Sequence, residues 1–186
     1  MTARHATVLL AVLATACGTT DPVTYSAPVG ISLDVKSGDA AGGAIRVDKS
    51  ITTESGNPYG AFVNAAVKAL GGDPSRIGVA SATLALEPSS TGVTTLQQVF
   101  TGTVWLSFEP NGTSTLYPAA SVALPTGAGP VPMQVSFDST SMTPADYAAL
   151  VGGNFKVVLI GTPAAGFGGA AATARLQAVL NFVAYP

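Results

Sequence analysis

Phe100-Thr101-Gly102-Thr103-Val104-Trp105-Leu106-Ser107-Phe108 is the stretch on which the fold turns. Phe100, Gly102, Val104, Leu106 and Phe108 recur at period two, with Thr101, Thr103, Trp105 and Ser107 between them. Successive side chains of a strand point to opposite faces, so this spacing describes a strand with one apolar and one largely polar side. Asn111-Gly112 follows at once, the dipeptide that best accepts the positive φ angles of a tight hairpin turn. A returning strand is therefore expected near Thr115 to Leu124.

The same alternation recurs outward from this hairpin. Val29, Ile31, Leu33 and Val35 alternate with Ser32, Asp34 and Lys36, and Val131, Met133, Val135 and Phe137 repeat the pattern. Ser37 to Gly43 reads as a turn that leads to a short strand through Ile45-Arg46-Val47. Val79 to Leu86 alternates too, but its phase slips near Ser81-Ala82, the mark of a bulge. Asn154 to Ile160 reads as a buried strand. Between Ala174 and Tyr185 both a strand and a helix fit the apolar spacing. The run Val179-Leu180-Asn181-Phe182-Val183-Ala184-Tyr185 is β-branched and aromatic and lacks a preceding cap, which favours the strand.

Two segments read as helices. Asn57-Pro58 supplies an N-cap followed by proline, and Phe62, Val63, Ala66, Val67 and Leu70 share one helical face before Gly71-Gly72. Thr143-Pro144 opens a shorter helix that Gly152-Gly153 closes. Seven or eight strands joined by Gly/Pro-rich turns predict a mainly β protein, a two-sheet antiparallel sandwich with two short helices.

The N-terminus has a different character. Arg4 gives it a mildly positive start, and Ala6 to Ala14 is apolar apart from Thr7, a run too short to span a bilayer. It ends in Leu13-Ala14-Thr15-Ala16-Cys17-Gly18. Small residues before a cysteine at this distance resemble the lipobox of bacterial lipoprotein precursors, although Ala14 stands where leucine is more usual. The resemblance covers about 20 residues. It implies cleavage before Cys17, a thioether-linked diacylglycerol on the Cys17 sulfur, usually a further acyl chain on the new amine, and a membrane anchor. Gly18 follows the cysteine, rather than the aspartate associated with inner-membrane retention, which implies the outer membrane where a species has two. Two other readings stay open: Ala14-Thr15-Ala16 also fits a signal-peptidase site that would release a secreted protein, and the segment could belong to a cytosolic chain.

On the lipoprotein reading the chain divides into a signal peptide over 1–16, a lipidated cysteine and flexible tether over 17–28, and one domain over 29–186. A domain of this size buries enough surface to fold without disulfides or metals. Charged residues make up 10% of the sequence, against about 25% in typical soluble domains, and the formal net charge is −2. The basic residues are scattered, which argues against nucleic-acid partners.

The residue inventory narrows the chemistry. His5 is the one histidine and lies in the predicted signal segment, so a processed chain holds no imidazole for a Ser-His-Asp or Cys-His site. Neither G-x-S-x-G nor G-x-x-x-x-G-K-[ST] occurs. Gly166-Phe167-Gly168-Gly169-Ala170-Ala171 fits G-x-G-x-x-A. Pro163 precedes it, however, and no acidic residue follows at the required distance, so it reads as a mobile loop. Asp34, Asp39 and Asp48 could offer oxygens to calcium, but without the dense spacing of a calcium loop. No cofactor, metal site or catalytic residue is expected. A carboxylate-pair hydrolase and a protein holding an apolar ligand between its sheets are alternatives to a non-enzymatic structural or binding module. Trp105 is the one candidate ligand-binding residue: its neighbours at period two are polar, so its ring would stand on the outer face of a sheet. There it either meets a glycan or an envelope protein or, as large rings rarely stay exposed, is covered by a helix or loop of the chain itself.

Overall fold

The computed structural model describes residues 23–186 apart from 41 and 55. Eight strands form it: β1 (Tyr25–Lys36), β2 (Ile45–Ile51), β3 (Arg76–Leu86), β4 (Phe100–Pro110), β5 (Tyr117–Ala123), β6 (Val131–Val135), β7 (Phe155–Pro163) and β8 (Thr173–Tyr185). Two helices join them, α1 (Pro58–Leu70) and α2 (Pro144–Val151). All pairings are antiparallel, and the order across the sheet is β1-β8-β3-β6-β5-β4-β7-β2.

The protein is mainly β, as expected, but the two-sheet sandwich is not what forms. One sheet curls into a nearly closed barrel, and the hinge is β6. Its residues Val131 to Met133 pair with β3, while Gln134 and Val135 pair with β5. A strand that gives one end to each side turns two facing sheets into one bent sheet. Alternation shows which side chains are buried, and it is the same for both architectures.

Beginning and end of the sheet, β1 and β2, meet as the connected arms of a hairpin, yet no ladder joins them among the described residues. Ser37 N–H donates to Ala172 C=O at 3.0 Å. The two-residue period of an antiparallel ladder then points the odd residues of β1 at β8 and turns Gly30, Ser32 and Asp34 toward β2. A cleft of about 230 Å³ separates the edges there, lined by Gly30, Ile31, Ser32, Lys49, Ser50 and Ile51. Pro28 sits at another edge-facing position, where its missing N–H costs no ladder bond. This is why β1 begins at Tyr25, inside the stretch read as tether: the proline is tolerated, and the Tyr25 ring packs 6.0 Å from that of Phe62.

The interior is filled. Val29, Ile31, Leu33 and Val35 of β1 are buried, as are Ala174, Leu176, Ala178, Leu180, Phe182 and Ala184 of β8, which settles the last segment as a strand. Asn57 caps α1, accepting the Tyr59 N–H at 3.0 Å, and Gly71 ends it in the left-handed conformation. The helix closes the barrel end at which the chain enters. Tyr59 meets Phe155 and Phe182 edge-on at 5.0 and 5.2 Å, and Phe108 meets Phe137 edge-on at 4.6 Å. Phase slips appear as bulges, including one between Val79 and Ser81 where the sequence pattern shifts. The glycine-rich 166–171 segment lies outside any strand as expected. It is anchored rather than loose, because Phe167 is buried within a single 3-10 turn.

The strand directions separate the two ends of the barrel. β1 enters at Tyr25, so the entry end also carries α1, α2 and the β4–β5 turn. The opposite rim carries the starts of β4 and β6, the end of β5, and the loop from Leu124 to Pro130.

Candidate functional site

Trp105 stands where its polar neighbours place it, on the outer face of the sheet, 47% exposed. Among the described residues no helix or loop covers it. Pairing register sets what surrounds it: Arg46 lies opposite Ile160, Ile160 opposite Trp105, Trp105 opposite Ser121, and Ser121 opposite Gln134. Directly paired residues share a face, so these five form one row across four neighbouring pairings. Thr103 pairs with Ala123 one step nearer the rim.

A shallow groove of about 390 Å³ follows from this arrangement, lined by Thr103, Trp105, Ser121, Val122, Ala123, Pro132 and Gln134. Neither acid nor base lines it. Among the described residues the side chains of Thr103, Ser121 and Gln134 make no hydrogen bond to another protein group. Covering the exposed half of the indole, roughly 100 Å² of largely apolar surface, would contribute about 2–3 kcal/mol.

On its other flank the same face is sealed by paired charges. Arg46 reaches past the intervening row to an ion pair with Glu109, and Lys156 lies 3.8 Å from Asp48. Ser107 and Val158, in that intervening row, are buried. The groove is thus closed toward the entry end and open toward the rim.

At the rim a second cleft, of about 470 Å³, adjoins it, lined by Gln97, Phe100, Thr101, Leu124, Pro125, Thr126, Ala164 and Ala165. Leu124 marks the junction. Among the described residues it is the non-glycine residue with positive φ, 47°, and it is 66% exposed. Its N–H donates to the Gly102 C=O at 2.8 Å, and Gly102, itself at φ 76°, lies in the two-residue bulge of β4 between Thr101 and Trp105. Two bulged residues preserve the in-out alternation, which keeps Trp105 outside. A leucine strained in the left-handed region and exposed to water lies at a site the sequence reading gave no role. Its only signals are the following proline and the nearby Gly102, neither of which specifies it.

Asp39 accepts the Lys36 N–H at 2.7 Å, Asp48 faces Lys156, and the described residues contain no group of three or more histidine, cysteine, aspartate or glutamate side chains able to hold a metal. Glu54 lines a cleft beside the start of α1, with Thr53, Asn57 and Asn64. Asp146 is buried, but it serves α2: it accepts the Tyr117 hydroxyl at 2.7 Å and the Thr143 hydroxyl at 2.8 Å. Cys17, the predicted lipidation site, lies outside the described residues. No helix of the described residues is long and apolar enough to cross a membrane. No protein-family model matches the sequence, and no curated protein is similar to it.

Proposed function

We propose that this chain is an exported lipoprotein, anchored in a bacterial membrane through acyl chains on Cys17, and that it serves the cell envelope as a non-enzymatic binding module whose working face surrounds Trp105. The observation that carries the binding part is the half-exposed Trp105 ring in an outer-face groove lined by uncharged side chains, while the barrel interior is occupied by its own aromatic side chains. The lipid part rests on the Leu13-to-Gly18 sequence. The two fit together in space. The tether joins the barrel at Tyr25, and Trp105 opens toward the opposite rim, so an anchored molecule presents this face away from its anchor.

Two measurements test the reading. Wild type and Cys17→Ala, expressed in a bacterial host, are compared by intact mass and detergent partitioning. Acylation of wild type alone is expected, and a soluble wild type with a free Cys17 thiol would replace the anchor with a secreted protein. For the face, the fluorescence of Trp105, the one tryptophan of the chain, is quenched with a neutral collisional quencher. Isolated envelopes should protect the ring; equal quenching with and without envelopes would remove Trp105 from any binding role.

A further inference from the structure

We infer that the groove around Trp105 holds a neutral glycan chain, an assignment that rests on the proposed binding role of that face and gives it a ligand class. A pyranose ring presents C–H groups on its faces and hydroxyls around its edge. Recognition therefore needs a flat apolar platform beside uncharged hydrogen-bonding groups. Trp105 supplies the platform, and the register of β4, β5 and β6 sets Ser121, Gln134 and Thr103 beside it. Gln134 offers both an amide donor and a carbonyl acceptor, and the two hydroxyls offer both roles as well.

Charge separates this ligand from others. An anionic polymer would call for a cation in the groove, yet none lines it, and the nearest in the row, Arg46, is committed to Glu109. An apolar peptide or a membrane surface would leave Ser121, Gln134 and Thr103 desolvated without partners, which disfavours both. The groove also continues. From Trp105 past Thr103 it runs toward Thr101 and Leu124. The β7 partners of Trp105 and Thr101, Ile160 and Thr162, are two residues apart. The bulge therefore sets Thr101 roughly 7 Å nearer the rim at the ordinary strand rise, where the second cleft takes over. An extended groove suits a chain of sugars rather than a single one, and its open end lies on the side away from the tether. The exposed Leu124 then adds an apolar contact at the point where the two clefts meet.

The test uses the full-length lipidated protein in detergent micelles, titrated with a neutral β-linked glucose tetrasaccharide, a β-linked N-acetylglucosamine tetrasaccharide, and an acidic uronic-acid oligosaccharide. Trp105 emission is expected to shift to the blue with at least one neutral probe and not with the acidic one. Calorimetry should find binding weakened about thirtyfold in Trp105→Ala, as when a central tryptophan is truncated at an interface. Gln134→Ala, which keeps the fluorophore, should lose about fivefold, the loss of one hydrogen bond. Thermal melts of both variants check the fold, and both substituted side chains are exposed. If no neutral probe binds but wild type self-associates and Trp105→Ala does not, the face is an interface between copies; the glycan assignment is overturned while the binding role stands. If neither glycan binding nor self-association occurs and envelopes fail to protect Trp105, both readings fall. Binding of the acidic probe alone overturns the neutral-glycan assignment.

Discussion

The Tyr117 hydroxyl donates to the Asp146 carboxylate at 2.7 Å, and the Thr143 hydroxyl donates to the same carboxylate oxygen at 2.8 Å. This is the buried carboxylate that a search for catalysis would seize on, and its contacts make it a fastener. Thr143 caps α2, accepting the Asp146 N–H at 3.2 Å, and Asp146 ties that first turn to β5. Tyr117→Phe leaves the carboxylate buried with one donor fewer. A hydrogen bond to a charged group is worth about 1.5–3 kcal/mol, so stability should fall by about 2 kcal/mol. A circular-dichroism melt should show the midpoint lower by about 4–8 °C, with binding at the Trp105 groove unchanged. An unchanged midpoint would show that the bond contributes nothing net.

The response to alkali follows from Tyr59. Burial pushes its phenol well above the ordinary range, with a smaller contribution from the nearby Tyr147. A raised folded-state pKa gives stability that is full below about pH 10 and lost as pH rises further, since only the unfolded chain can release the proton there. Tyr59→Phe also removes one donor from the Leu150 C=O, which accepts the Tyr59 hydroxyl at 3.0 Å and keeps the Gly153 N–H at 3.0 Å. Near neutral pH that variant should be less stable by about 1 kcal/mol, the net worth of one hydrogen bond. Urea unfolding at rising pH should show the deficit shrinking above about pH 10. A deficit constant with pH would mean that Tyr59 does not resist ionisation.

Much of this fold was legible in side-chain spacing. Val29 to Lys36 alternates in sequence and in burial alike, and Asn57-Pro58 and Thr143-Pro144 open helices where their cap chemistry says. The slip near Ser81-Ala82 corresponds to a bulge one position earlier. Sheet closure was not legible, because the five residues of β6 read as an ordinary strand and only the register reveals that they serve two partners. Trp105 was legible as an outer-face ring for the same local reason as its strand. Its companions were not: Ser121 and Gln134 join it through long-range pairing, and Leu124 through a bulge at Gly102.

Acid acts through Asp138. The Thr140 backbone N–H, which donates to its carboxylate at 2.9 Å, holds the group below the usual carboxylate range, with Arg76 at 3.5 Å a smaller cause. A lowered folded-state pKa gives stability that is present above the unfolded value and lost as pH falls through the folded one. Asp138→Asn should therefore flatten the decline in stability below about pH 4. The side chain is 46% exposed, so the change is small and calls for chemical denaturation at several pH values. Parallel curves for the two proteins would exclude Asp138 from the acid limb.

Two glycines clamp one backbone segment from both sides. A Cβ on Gly60 of α1 would lie 2.8 Å from the Thr53 carbonyl oxygen, and one on Gly153 would lie 2.7 Å from the Thr53 nitrogen. These backbone atoms cannot swing aside, so Gly60→Ala should cost about 2–3 kcal/mol through overpacking, and Gly153→Ala about 1–2 kcal/mol more because its φ of 63° adds left-handed strain. Gly71→Ala is the comparison: its φ is 76° but no atom lies within 4 Å. Left-handed strain alone costs about 1–2 kcal/mol. If all three variants melted alike, close approach at Thr53 would not be what fixes those glycines.

Leu124 separates stability from function. Holding a leucine at φ 47° costs about 1–2 kcal/mol relative to a relaxed backbone, and 66% of its surface faces water. Leu124→Gly relieves the strain but loosens the unfolded chain, which takes back about 0.4–1 kcal/mol. The sum is a protein as stable as wild type or more so, by up to about 1 kcal/mol. The Leu124 N–H to Gly102 bond survives, so Trp105 keeps its place. If Leu124 is an apolar contact at the junction of the two clefts, the same variant should bind the neutral tetrasaccharide that engages Trp105 several times more weakly, by about fivefold for the loss of one partly buried leucine contact. Improved melting with weakened binding would show that the strain is retained for what the side chain touches. Reduced stability with unchanged affinity would instead make Leu124 a structural residue of the β5–β6 loop and shorten the groove to the part lined by Trp105, Ser121 and Gln134.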